Sequence, residues 1–397
     1  MKGTLLQLIA KGSEDINITG DPEISFFENV YKRYTPFSME SIENPINTIP
    51  RFGSTIKVKI EKFGDLLSKM YLNVTLPGDN VNNGRWTNRI GFNLIRKIEL
   101  IIGNTVVDKQ DGLFMYLQSE LNSSDTKKSM LDTLVGHKAN FPGQQSFGNL
   151  GNNPIEYQIP LNFFFCKNYS HCFPLIAMTK QDIFIKIYFQ SKSNCLQSGT
   201  ILGELSEVKL WADHIFLSHT EKSNFANNNY QYLIEVTQHK TLNLTVDGIS
   251  NIRIPFKLPC KELIWIVRRI TINDSTDKFT DFTTGIANIP QLAKSMVRKC
   301  QLKINSKNVL SSGYRNFDYF NYIVPYQFHS GCPDLGINTY SFSLNPEDIN
   351  PTGFLDIGKI DNFNLLIDSS IGILHIYAIS YNLLEIDDEF VSLKNIY

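Results

Sequence analysis

The residues best suited to chemistry are few and poorly spaced for it. His171 adjoins Cys172 and follows Cys166 by five positions. That spacing matches no structural zinc site, and buried thiols beside a half-exposed imidazole are the plainer reading. His214, His219 and His239 share no ligand spacing. Asp387, Asp388 and Glu389 stand together near the C-terminal end, where a solvated acidic turn is commoner than a pair of general acids. Gly143, Gly148 and Gly151 would cradle a phosphate only by opening a helix after a strand, and neither flank supports one. There is no Walker loop, no Gly-x-Ser-x-Gly and no His-Glu-x-x-His. The expectation is a chain without catalytic, metal or cofactor-binding residues.

A denser cluster lies near the start, where Phe26, Phe27, Tyr31, Tyr34 and Phe37 surround Lys32 and Arg33. Two readings compete. Aromatic platforms flanked by cations suit single-stranded nucleic acid. Yet the chain has 38 Lys plus Arg against 39 Asp plus Glu, a net charge of −1, without the basic excess that phosphate binding demands. Core packing is favoured, with the cluster as an aromatic strand after a turn at Gly20-Asp21-Pro22. No direct nucleic-acid binding is expected.

The elements that would position these residues are mostly strands. With 397 residues, 42% of them hydrophobic and 19% charged, the chain reads as globular and longer than one typical domain. Aromatic residues reach 12%, and β-branched residues are frequent, as pleated half-buried surfaces require. The six cysteines are scattered, so reduced thiols in a cytosolic setting are expected rather than a disulfide framework. No signal peptide is evident, so the Asn-x-Ser/Thr sequons are read as chance. The stretch from Leu365 to Leu384 alternates and carries Asp368 and His375, which makes it a strand and not a membrane span.

In "STIKVKIEKF", Ile56, Val58 and Ile60 point one way and Lys57, Lys59 and Glu61 the other. "TLNLTVDGISNIRIPFKL" alternates twice about Asp247-Gly248, which predicts a hairpin with Leu242, Leu244 and Val246 facing inward. Pro255 donates no ladder hydrogen bond, which puts its strand at an edge or turns its nitrogen outward. "QDIFIKIYFQ" and "ELIWIVRRITI" are denser and predict strands buried on both faces. Leu113, Tyr116, Leu117 and Leu121 keep helical spacing, as do Met130, Leu131, Leu134 and Val135. The Gly- and Asn-rich stretch 141–154 predicts an exposed loop.

The chain also matches itself. "IRKIELIIGNTVVDKQDGLFMYL" from Ile95 parallels "VRKCQLKINSKNVLSSGYRNFDYF" from Val297, "GDLLSKMYLNV" parallels "CKELIWIVRRI", and "VKLWADHIFLS" parallels "LHIYAISYNLL" with Trp211 against Tyr377. Three matches in one order predict two tandem β domains of one design, joined near the polar patch Asn224 to Asn229.

The opening "GTLLQLIAKGSEDINITGDPEISFFENVYKRYTPFSMES" resembles the start of the major capsid proteins of nucleocytoplasmic large DNA viruses, the phycodnavirus and iridovirus group. Gln7, Leu8 and Ala10 match that family's lead, Thr19, Gly20 and Pro22 its turn, and Phe27, Tyr31, Arg33, Tyr34, Thr35 and Phe37 its aromatic strand. Further similar segments are "FPLIAMTKQDIFIKI", "NYQYLIEVTQ", "KLPCKELIWIV", "NPTGFLDIGKIDNFNLLI" and "YAISYNLL".

The resemblance implies an all-β double jelly roll, two eight-stranded antiparallel sandwiches with a few short helices in loops. It implies an N-terminal contact segment at 1–22, a first jelly roll at 23–222 and a second at 223–397. Its function would be structural: homotrimers forming pseudo-hexagonal capsomers that tile an icosahedral shell, with minor capsid proteins and an inner viral membrane as further contacts. The protein would be made in host cytoplasm and reside in the virion. Leu5, Leu6, Leu8 and Ile9 form an apolar lead that assembly would cover. The family's Pro-Ser-Gly element is Pro351-Thr352-Gly353 here, and the chain is short for the family. A divergent minor capsid paralogue is therefore the alternative, and a jelly-roll glycan- or receptor-binding module the alternative of another class.

Overall fold

Leaving aside six short strands that lie off the main pairing paths, strand pairing repeats itself along the chain with a period of eight strands. The computed structural model describes residues 3–29, 31–78, 84–136, 154–270, 277–285, 294–311 and 313–395. It forms two compact units, Met1–Pro36 and Phe37–Tyr397.

The smaller unit holds the helix α1 (Gly3–Ile9), a 3-10 turn at Ser13–Asp15 and a short helix at Ile16–Thr19. Its described residues contain no strand, which corrects the aromatic strand expected after Pro22. Phe26 is 92% exposed, Phe27 100%, Tyr31 85% and Tyr34 83%, so the cluster is not core. The first ladder begins at Phe37↔Leu217, the last residue of the pairing strand, so the sheet starts only there.

The larger unit begins with β1 (Phe37–Asn44), β2 (Thr55–Ile60), β3 (Leu66–Leu76), β4 (Ile95–Ile102), β5 (Thr105–Gln110), β6 (Ile155–Pro160), β7 (Ile183–Phe189) and β8 (Val208–Leu217). They form two antiparallel sheets, β1-β8-β3-β6 and β2-β7-β4-β5. The second set is β9 (Tyr230–Leu244), β10 (Gly248–Arg253), β11 (Pro259–Arg268), β12 (Val297–Ile304), β13 (Lys307–Asn308), β14 (Asn338–Ser341), β15 (Phe363–Ser369) and β16 (Gly372–Asp387). Their sheets are β9-β16-β11-β14 and β10-β15-β12-β13, the first pair of orders with eight added to each number. This is a jelly roll made twice.

Alternation decides which side chains fill the sandwiches. In β2 every second residue is buried, with Ile56, Val58 and Ile60 inward as read from the sequence. β11 is buried on both faces from Cys260 to Val267, also as read. β7 departs from that reading: Phe184, Lys186 and Tyr188 are half-exposed, so only one of its faces is core. The predicted hairpin is not formed either. β9 pairs with β16 and β10 with β15, in different sheets, and Val246 is 60% exposed. Asp247–Gly248 instead carries the chain between sheets, because alternation cannot tell a neighbouring strand from one across the core. β10 is an edge strand, which accommodates Pro255 just beyond it.

Two helices follow β5, α2 (Gly112–Asn122) and α3 (Asp125–Val135), both expected from their spacing. The loop expected at 141–154 falls outside the described residues except for Pro154. Among the described residues no helix is long and apolar enough to cross a membrane.

Candidate assembly surfaces

The most elaborate polar site joins the two jelly rolls. Asp111 caps α2, accepting from the Phe114 N–H at 2.7 Å. The same carboxylate accepts from the Tyr377 hydroxyl of β16 at 3.0 Å and meets His239 Nδ1 of β9 at 3.2 Å. Burial pushes Asp111 up, partly opposed by His239, and pushes His239 down, opposed by Asp111. Beside them burial, then His239 and Arg268, drive His375 down to about 3, so its ring is neutral at physiological pH.

Thr241 Oγ1 lies 3.1 Å from His239 Nε2, which completes an Asp–His–Thr chain in the order of hydrolytic triads. His375 Nδ1 contacts the same Nε2 at 3.2 Å, and Tyr377 stacks on the imidazole with ring centroids 4.1 Å apart.

Around this cluster the contact is apolar. Phe114 meets Tyr377 at 5.4 Å, and Tyr116 meets Phe279 at 5.6 Å while donating to Asp334 at 2.9 Å. Ile264, Ile266, Tyr377 and Ile379 therefore belong to the hydrophobic cluster of the first roll, whereas Leu263, Trp265, Val267 and Ile376 belong to that of their own roll. One sheet thus has two dry faces.

Several charges trapped in the contact are paired, and others are held by neutral hydrogen-bond partners. Lys261, 1% exposed in the middle of an apolar strand, bonds Glu235, which also accepts from Lys167 of the first roll at 2.6 Å. Burial raises Glu235, but the two lysines outweigh it and hold the carboxyl down at about 2. Glu262 accepts from His329 at 2.6 Å. Asp108 accepts from the Thr237 N–H across the junction at 2.9 Å, and burial pushes it up to about 6.

Of the residues singled out from the sequence, His239 sits in this junction, whereas the apolar lead, Cys166 and His214 lie elsewhere. Leu5, Leu6, Leu8 and Ile9 all sit on α1 and are between 49% and 68% exposed. Cys166 donates to the Ser68 carbonyl, and burial drives its thiol up to about 12. His214 is fully buried against Phe63. Among the described residues no three His, Cys, Asp or Glu side chains converge as a metal site. The junction went unread, although Asp111 ahead of a helical run is a capping signal and Lys261-Glu262 interrupt an apolar strand.

Residues 25–218 match the family described as "Major capsid protein N-terminus", and residues 221–390 that described as "Large eukaryotic DNA virus major capsid protein". The major capsid protein of Pyramimonas orientalis virus is 30% identical over 417 residues, covering 97% of this chain and 97% of that protein. The chain belongs to the major capsid protein family of large eukaryotic DNA viruses. The major capsid protein of Paramecium bursaria Chlorella virus 1 is 29% identical over 410 residues, covering 92% and 87% of the two chains. A chain of the PBCV-1 virus capsid shares the fold, with a TM-score of 0.82 at 24% identity, over 94% of this chain and 100% of that one. The double jelly roll is thus the fold of a major capsid protein, and its role is structural, as a component of the virion.

Proposed function

We propose that this capsid protein acts as a homotrimer whose six jelly rolls form one pseudo-hexagonal capsomer, and that capsomers then tile an icosahedral shell. The observation that carries this is the duplication: each chain supplies two sandwiches with the same strand orders. Three such chains fill a hexagonal footprint with one repeated interface. The rolls divide at 222/223; the start of the first roll, expected at 23, moves to Phe37, because residues up to Pro36 form a unit of their own, and 1–22 is a contact segment whose Leu5, Leu6, Leu8 and Ile9 are covered in assembly. Minor capsid proteins and an inner viral membrane are further contacts, assembly takes place in host cytoplasm, and the protein has no enzymatic role and binds no nucleic acid directly.

Light scattering with negative-stain microscopy tests the trimer: a particle of three times 45.3 kDa with a hexagonal outline is expected. A monodisperse monomer at micromolar concentration would discard it. Deleting Met1 to Thr19 tests the contact segment, with unchanged melting and failed shell formation as the expected pair of results.

A further inference from the structure

The outer face of β2-β7-β4-β5 carries positive charge that its own strands do not cancel. Along one ladder row Lys57 lies across from Lys186, Lys186 across from Glu99, and Glu99 across from Lys109. In the next row Tyr188 lies across from Lys97, with Arg96 beside it where the register shifts. The one carboxylate of these rows is spent, because Glu99 bonds Lys97 at 2.5 Å and accepts from the Tyr188 hydroxyl at 2.9 Å. Among the described residues, Lys57, Arg96, Lys109 and Lys186 have no carboxylate in ion-pair range. Two lysines directly opposite each other cost stability. Their ammonium groups rest on rings instead: Lys57 lies 3.8 Å from the centre of Phe184, and Lys186 4.9 Å and Arg96 5.7 Å from that of Tyr188. A ring face holds a cation in place without removing its charge.

The second roll shows that the fold does not require this. Its equivalent row reads Asn251, Leu366 and Gln301 where the first has Lys57, Lys186 and Glu99. The Arg-Lys pair recurs as Arg298-Lys299, but Asp368 stands in the place of Tyr188. Arg298 donates to Asp368 at 2.6 Å and to Asp247 at 2.7 Å, so its charge is answered within the chain.

The cationic face runs into a groove of about 850 Å³, walled by Arg96, Lys97 and Lys109 of the first roll and by Lys240 and Phe256 of the second. Asp111 lines it too, but is engaged by Tyr377 and His239. The buried amide oxygen of Gln110 in the groove wall has no hydrogen-bond partner among the described residues, which leaves an acceptor for a ligand hydroxyl.

We propose that this face and groove bind a sulfated polysaccharide. The row from Lys57 to Lys109 spans three strand spacings, roughly 14 Å, which suits a chain of sulfate groups better than one small anion. Lysine ammonium groups meet sulfates as point charges, and sugar hydroxyls supply the donor that Gln110 lacks. Single-stranded nucleic acid is disfavoured, because Phe184 and Tyr188 are capped by cations and Phe256 is buried, leaving bases no ring here to stack on.

The test uses the full-length chain with three probes: a heparin oligosaccharide, an unsulfated hyaluronan oligosaccharide of the same length, and a single-stranded DNA oligonucleotide. Affinity is read by calorimetry over a salt series and folding by the melting curve. Lys57→Asn with Lys186→Leu installs the row of the second roll, and Arg96→Gln with Lys109→Gln strips the groove. The parent should bind heparin, more weakly as salt rises. Each double variant should bind it at least tenfold more weakly, with a flatter salt dependence and an unchanged melt, whereas Lys303→Asn on the second roll should stay within twofold of the parent. Should one double variant lose its fold, the other decides the matter from different strands. A parent that ignores heparin at low salt, folded double variants that bind it as the parent does, or hyaluronan or DNA bound as tightly as heparin would each overturn the proposal.

Discussion

β3 and β11 are the same strand of the same sandwich made twice, and they live in different surroundings. On the inward side they are interchangeable: Met70, Leu72 and Val74 do in one roll what Leu263, Trp265 and Val267 do in the other. On the outward side they part. β3 shows Tyr71, Asn73 and Thr75 half-exposed, whereas β11 shows Ile264 and Ile266 with no exposure. Burying an isoleucine gains about 1.5–3 kcal/mol, so the outward residues alone commit β11 to an internal interface. In a duplicated fold, the inner faces record the architecture and the outer faces record the neighbours.

Equivalent substitutions on the two outer faces should break this symmetry most sharply. Ile264→Lys places an unpaired charge in the junction and should cost more than about 4 kcal/mol, enough to abolish a cooperative transition in guanidinium. Tyr71→Lys, measured on dissociated chains, should cost less than about 1 kcal/mol. Equal penalties would refute the contrast.

Gly112→Ala attacks the helix that makes the difference. A Cβ there would lie 1.8 Å from the Phe92 carbonyl oxygen, so α2 must shift off its seat. A loss of about 2–4 kcal/mol and a lower melting temperature are expected. A neutral substitution would mean that the start of α2 is freer than this close approach allows.

The His329–Glu262 pair sharpens the contrast through pH. Burial by itself lowers the His329 pKa, but Glu262 and then Glu347 outweigh it and hold it up at about 9. The folded value lies above the ordinary imidazole value of about 6.5, so the stabilisation is complete below that pH and is lost as pH rises through about 9. His329→Gln should erase a slope on the order of 3 kcal/mol across that window, read from denaturation midpoints in a pH series. A parent whose stability is flat from about pH 6.5 to 9 would contradict it.

The smallest effect concerns thiols. Cys332 is exposed, whereas Cys195, Cys260 and Cys300 are fully buried, with Cys195 driven by burial up to about 12. Native alkylation should reach Cys332 at least tenfold sooner than those three; the reverse order would contradict their burial.

Much of the fold was legible because alternation and duplication are local or periodic signals. The two-faced dryness of β11 could be read directly from "ELIWIV". Other features needed three dimensions. Whether Leu242 to Leu258 turned back or crossed the core depended on which strands, more than 100 residues away, would pair with it. The aromatic cluster at 26–37 has strand-like composition, yet Phe26, Phe27, Tyr31 and Tyr34 lie outside any strand and are exposed. The junction joins Asp111 to Tyr377 and His239, groups that only the packed rolls bring together.

The placement of α2 also has a consequence for synthesis. The first roll closes when β8 ends at Leu217, but the sheet that covers α2 is completed only when β16 ends at Asp387, about 170 residues later. At ribosomal speeds of about 5–20 residues per second, that is roughly 10–30 s during which Phe114 and its neighbours have no cover. A nascent chain paused in that interval would present a sticky apolar face on an otherwise finished sandwich, and chaperone occupancy should peak there.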